Sequence, residues 1–269
     1  MTARRDDILK ELGLWPVWRL RGSTPAPVPA SAAAPAQHAA VAHAIAAQTD
    51  EVRPASGRAV PTVTAALPLD ARTAEIMQME WPQLKESVAG CVACPLHKGR
   101  NKTAFGVGDE QADWLFVGEG PGAEEDAKGE PFVGQAGKLL DNMLAAISLK
   151  RGQNVYIANI VKCRPPGNRN PEPGEVAQCE PYLHRQIKLL KPKLIIALGK
   201  VAAVNLLKRD AAVASMRGKL HEYQGIPLIV TYHPAYLLRS LPEKAKAWVD
   251  LRFAVDSMQT LQSAKAAPI

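Results

Sequence analysis

The sequence predicts an α/β fold, a three-layer αβα sandwich around a central four-stranded parallel sheet. Three observations predict it. Four short apolar runs, at 113–118, 155–161, 194–199 and 227–232, have strand length rather than helix length. Their apolar character suits strands buried on both faces. Segments with helical spacing alternate with them, the pattern of βαβ units and parallel pairing. A parallel sheet gathers the loops after its strands at one edge, and three of those loops are chemically distinctive.

The chain has 269 residues, enough for one large domain or two small ones. Its net charge of +7 leans toward an anionic partner without identifying one. No run reaches the roughly 18 apolar residues of a membrane span. The beginning, MTARRDDILK, lacks a secretory apolar core, so the expected location is the cytoplasm.

Taken in order, residues 1–22 are an amphipathic N-terminal segment. Ile8, Leu9, Leu12 and Leu14 keep helical spacing and Pro16 interrupts it. Trp15, Val17, Trp18 and Leu20 are then left to be covered, either by a protein partner or by the core, unless this is a frayed terminal helix. Residues 23–70 are rich in Ala and Pro and read as a flexible linker. A domain over 71–262 follows, with a tail at 263–269. Met77, Trp81, Leu84 and Val88 form a helical face leading to Cys91 and Cys94. Phe105 to Gly108 reads as a turn before the first strand. Further helices are expected at 138–148, 173–190, 201–207 and 244–261.

The loop Gly118-Glu119-Gly120-Pro121-Gly122 brings bare backbone to the end of the first strand. It matches neither GxxxxGK[ST] nor GxGxxG, which argues against a nucleotide cofactor. The acidic residues after it (Glu119, Glu124, Glu125, Asp126) fit a metal or a solvated face. Asn159 lies in an apolar strand, where a buried amide must find a partner or cost about a kcal/mol or more. That partner is either backbone or a ligand. His233 ends the fourth strand, either as a satisfied structural histidine or as a donor at the mouth of a site. Cys91, Cys94, Cys163 and Cys179 are spaced as two separated pairs, which suggests one thiolate-ligated metal site over four unrelated thiols.

The segments GEGPGAEED, PFVGQAGKLLD, NIVKCRPPGNRNP and YHPAYLLR, in that order, resemble the motifs of the family 4 uracil-DNA glycosylases, the iron–sulfur branch of their superfamily. The resemblance runs from about residue 75 to 260. It implies an enzyme that hydrolyses the N-glycosidic bond of deoxyuridine in DNA, releasing uracil and leaving an abasic site. It implies that Cys91, Cys94, Cys163 and Cys179 ligate one [4Fe–4S] cluster, although zinc also accepts four thiolates. Phe132 would stack on a flipped uracil, and Asn159 would pair with its polar edge. His233 would donate to uracil O2, with help from backbone around Gly118, Glu119 and Gly120. Glu119 is the nearest carboxylate to activate water, because Gly120 stands where a better-known branch carries an acid. Glu125 would crowd C5 and exclude the thymine methyl. Arg164 and Arg169 would meet phosphate, and Tyr236, Leu237, Leu238 and Arg239 would form the loop that enters DNA. The implied partner is uracil-containing DNA, single- or double-stranded, met by a monomer at the nucleoid of a prokaryote. Two rivals remain: a relative that bonds covalently to DNA, and a non-catalytic iron–sulfur module that binds DNA or accompanies a polymerase.

Overall fold

The computed structural model describes residues 70–266, with side chains to residue 263. The expectations for residues 1–22 and for all of the linker but Asp70 lie outside the described residues.

Six strands form one sheet in the order β1-β3-β2-β4-β6-β5. They are β1 (Val107–Gly108), β2 (Trp114–Gly118), β3 (Val155–Asn159), β4 (Leu194–Leu198), β5 (Leu220–Tyr223) and β6 (Ile226–Thr231). The four expected parallel strands are its centre: β3, β2, β4 and β6. Two antiparallel edge strands were not expected. Val107 and Gly108 pair with β3 where a turn was read, and β5 returns as a hairpin onto β6. Both are hard to read, because β1 has two residues and β5 is half solvated.

Side-chain alternation explains the three layers. Leu115, Val117, Tyr156, Ala158, Ile195, Ala197, Leu228 and Val230 face one layer. That layer holds α1 (Ala71–Ile76), α2 (Trp81–Ala89), α5 (Pro173–Leu190) and α6 (Gly199–Leu207). Trp114, Phe116, Val155, Ile157, Leu194, Ile196, Leu198 and Ile229 face the other. There they meet Leu140 and Leu144 of α4 (Gln135–Ala146), and Ala254 and Met258 of α9 (Glu243–Ala266). Each fully buried Leu, Ile or Phe contributes roughly 1.5–3 kcal/mol of transfer energy, which makes this double core the main support of the sheet. The remaining helices are short: α3 (Ala123–Lys128), α7 (Val213–Met216) and α8 (Pro234–Arg239). Among the described residues, no helix is long and apolar enough to cross a membrane.

The strand order has a consequence for ligands. The chain leaves β2 toward β3 and leaves β4 toward β6, on the opposite side. The connections diverge between β2 and β4, the switch point where such sheets open a crevice.

Candidate active site

A cleft of about 520 Å³ opens at that edge. Its walls come from the loop after β2 (Glu119, Gly120, Pro121), the loop after β3 (Pro165, Asn168, Arg169), the start of α6 (Gly199, Lys200) and the end of β6 with α8 (His233, Tyr236, Arg239). All four parallel strands therefore feed one site.

Gly118 fixes the innermost geometry. It pairs with Asn159 across β2 and β3. A Cβ built on Gly118 would stand 2.5 Å from Asn159 Oδ1 and 2.5 Å from Phe132 Cζ. Only a glycine here lets the amide and the aromatic ring approach from both sides. Phe132 holds a left-handed backbone (φ 55°), uncommon for an aromatic residue. Arg151 fixes that bend from outside. It donates to the carbonyls of Pro131 (3.0 Å) and Phe132 (2.7 Å) and to Asp141 Oδ1 (2.9 Å). Arg151 gave no sequence signal, since it lies in a polar turn remote from every motif.

Asn159 is buried, and its Oδ1 has no hydrogen-bond partner. A buried amide oxygen left without a partner costs about 1–3 kcal/mol, which a donor reaching it would recover. His233 lies against Phe132, with ring centroids 5.5 Å apart. Gly199 (φ +88°) makes room for it, because a Cβ there would sit 2.7 Å from His233 Cβ. The Ala235 N–H donates to His233 Nδ1 at 3.2 Å. The neutral ring then carries its proton on Nε2. Burial, and next the Arg239 charge, push the imidazole down to about 4, so it is neutral at physiological pH.

Glu119 lines the cleft, and burial pushes its carboxyl above the ordinary range. Gly120 lets the loop lie against Val161, whose Cγ2 would be 2.7 Å from a Cβ at that position. Glu125 and Asp126 belong to α3 and are buried. Glu125 accepts from the backbone N–H groups of Gly122 (3.1 Å), Val133 and Gly134 (both 2.9 Å). It ties the glycine loop to the Phe132 loop. Asp126 accepts twice from Asn101. The acidic cluster is neither a metal site nor a solvated face at these two positions.

One expectation for the DNA-facing residues needs correction. Leu237 is buried among Met143, Ala247 and Leu251, so it is core and not a wedge. Tyr236 (39 % exposed), Leu238 (42 %) and Leu241 (62 %) are the apolar side chains offered to solvent around α8. Arg169 is not a free cation. Its guanidinium pairs with Glu175 in a fork at 2.8 and 2.7 Å and reaches Glu172 at 3.2 Å. It anchors the loop to the start of α5. Arg164 donates to Asn168 Oδ1 at 2.8 Å within that loop, and Arg239 is exposed beside the cleft.

The four cysteines converge. Cys91, Cys94, Cys163 and Cys179 line one small cavity between α2, the loop after β3 and α5. Donors point at three of the sulfurs: Arg100 Nη1 at Cys163 (3.0 Å), the Lys162 N–H at Cys179 (3.3 Å) and Arg72 Nη2 at Cys91 (3.8 Å). Burial pushes the thiols of Cys94 and Cys163 up, and that of Cys179 up to about 12. Thiolates need cationic charge inside this cavity, while the surrounding N–H groups suit sulfur that carries charge. Among the described residues, no group of three His, Cys, Asp or Glu is set to hold a single metal ion.

Fold and site together define an α/β protein built around a neutral histidine, an open amide and an aromatic platform, with a thiol cage beside them. The model of the uracil DNA glycosylase superfamily matches residues 105–252, and the chain belongs to that superfamily. Within it, the chain is similar to several type-4 uracil-DNA glycosylases. It is 46% identical to that of Archaeoglobus fulgidus over 159 residues, 56% of this chain and 79% of the relative. The relative from Pyrobaculum aerophilum is 44% identical over 171 residues, 60% and 86% of the two chains. That from Thermotoga maritima is 43% identical over 159 residues, 58% and 82%.

Proposed function

We propose that this chain is a DNA-repair uracil-DNA glycosylase, hydrolysing the N-glycosidic bond of deoxyuridine to leave an abasic site. The observation that carries the reading is the buried, open Oδ1 of Asn159 beside the Phe132 ring. Uracil offers the N3–H donor that this acceptor lacks, and its O4 accepts from the Asn159 amide N–H. Cytosine has no proton on N3 and presents an amino group instead of O4, so it meets acceptor with acceptor and donor with donor. Phe132 stacks on the extruded base.

As the glycosidic bond lengthens, negative charge gathers on uracil O2 and the sugar becomes oxocarbenium-like. His233 Nε2–H is a neutral donor for that oxygen, and its bond strengthens as charge develops. The ring holds its proton throughout. The glycosidic electron pair leaves with the uracil anion, and water oriented by the Glu119 carboxylate adds to the sugar carbon and gives up its proton to that carboxylate. Glu125 acts on specificity through the backbone it gathers, which sets the wall facing C5 of the base. Arg164, Arg239 and the exposed Tyr236 and Leu238 face the DNA, the arginines toward phosphate and the apolar side chains toward the vacated stack. The proposed place of work is the nucleoid of a prokaryote, with the chain acting as a monomer.

Four thiols gathered around one cavity support a [4Fe–4S] cluster that Cys91, Cys94, Cys163 and Cys179 would hold. Such a cluster would tie the end of α2, the loop after β3 and α5 together through its thiolate bonds, and base release needs no step through it. A broad visible absorption band with four irons per chain supports this, whereas colourless protein with one zinc overturns it.

The functional test separates turnover from binding. Asn159→Ala and His233→Ala should lower uracil release far more than affinity for a uracil oligonucleotide. Equal losses in both would contradict the assigned roles.

A further inference from the structure

Lys162 is among the largest fully buried side chains, at 1 % exposure. A lysine with that burial is rare unless paired, and none of its bonds here is to a carboxylate. Its Nζ turns back along the chain and donates to the Asn159 carbonyl at 2.9 Å. It also donates to Gln186 Oε1 at 2.6 Å. Gln186, buried on α5, spends its own amide on the Phe105 carbonyl at 2.9 Å. The backbone of Lys162 is committed too. Its N–H donates to Cys179 Sγ and its carbonyl accepts from Ala104 N at 2.8 Å. One residue therefore touches the thiol cage with its backbone and the peptide of Asn159 with its ammonium.

Asn159 needs such a hold. It is the last residue of β3, where the ladder to β2 ends at Gly118. Beyond it, Ile160 and Val161 donate to the Gly118 and Glu119 carbonyls. The Asn159 side chain has an acceptor with no protein partner to orient it. What fixes the amide is the placement of its own backbone. Charged donors make bonds worth about 1.5–3 kcal/mol, stronger than an ordinary backbone bond in this position.

We propose that Lys162 is a positioning residue for base recognition. It pins the Asn159 carbonyl to α5 through Gln186, so that the open Asn159 amide meets uracil in register. It touches no substrate and acts only through Asn159. The inference rests on the reading of Asn159 as the base-recognising amide. It also explains why a cation is buried at a site with no acid: a neutral side chain cannot span Asn159 and Gln186 with two charge-assisted bonds.

The test uses the full chain as purified, with a uracil oligonucleotide. Lys162→Met keeps the length and burial and removes the donors. The expected result is a fall in kcat/KM of roughly 10- to 100-fold. Visible absorption and iron content should stay at wild-type values. The deciding measurement is a double-mutant cycle with Asn159→Ala. If Lys162 acts through Asn159, adding Lys162→Met to Asn159→Ala costs less than threefold further. Full additivity of the two losses overturns the proposal, as does wild-type kcat/KM in Lys162→Met. If Asn159→Ala alone releases uracil at the wild-type rate, the reading of the site fails instead. Should Lys162→Met not fold, Gln186→Met is put through the same cycle and read the same way, with a smaller loss that must again vanish on the Asn159→Ala background.

Discussion

Gly118→Ala is the smallest change that tests the geometry of the site. The added methyl would stand 2.5 Å from Phe132 Cζ, 2.6 Å from Phe132 Cε2 and 2.5 Å from Asn159 Oδ1. Carbon atoms rest at about 3.5 Å or more, so the ring must recede by about 1 Å and the amide by slightly less. Neither can move freely. Phe132 is bent and clamped by Arg151, and Asn159 closes the β3 ladder. Overpacking of this kind costs about 1–3 kcal/mol of stability. The catalytic cost is of similar size, because a misplacement of about 1 Å can lower the rate about 100-fold, or about 2.7 kcal/mol. The assay is single-turnover uracil release from a fluorescent oligonucleotide, cleaved at the abasic site with alkali, alongside a thermal melt. The expected outcome is folded protein, a melting point lower by a few degrees, and release slower by about two orders of magnitude. Release within twofold of wild type would refute the role given to this close approach.

Three further outcomes are expected. Leu237→Ala should cost about 2–5 kcal/mol of stability, as a buried leucine does, while Leu238→Ala should leave the melt unchanged and weaken DNA binding. Denaturant titration and fluorescence anisotropy check the pair, and the reverse pattern would restore Leu237 as the wedge. His233 has a folded-state value near 4 against an ordinary 6.5. Its contribution to stability is therefore intact above pH 6.5 and is lost as pH falls from there toward 4, where the unfolded histidine takes a proton that the folded one refuses. His233→Asn should flatten stability over that window, and activity should show no protonation near 6.5 traceable to this ring. Arg239→Ala should reduce the slope of log affinity against log salt by about one if Arg239 meets a phosphate, with no change in base preference. An unchanged slope would remove it from the interface.

The central strands were legible because burial on both faces leaves a short, continuous apolar run. Asn159 stood out as a polar residue inside an apolar run, and His233 as one at the end of another. The edge strands were not legible: Val107 and Gly108 are too few, and His221 and Glu222 give β5 a polar cast. Leu237 and Leu238 are adjacent, and only the docking of α8 against α4 and α9 decides which of them is core. The carboxylate that occupies Arg169 lies six residues away, across a proline-rich turn whose shape spacing alone does not give. Arg151 and Lys162 act through backbone carbonyls, and a carbonyl leaves no mark in a sequence.

The most direct measurement is the count of uracils released per protein molecule from an excess of single-uracil oligonucleotide, without magnesium or nucleotide. Many uracils per molecule, each leaving an abasic site, is the result predicted by a stacked base, an open amide and a neutral histidine donor. A bound oligonucleotide with its uracil intact, or a covalent adduct that stops at one per protein, would contradict it.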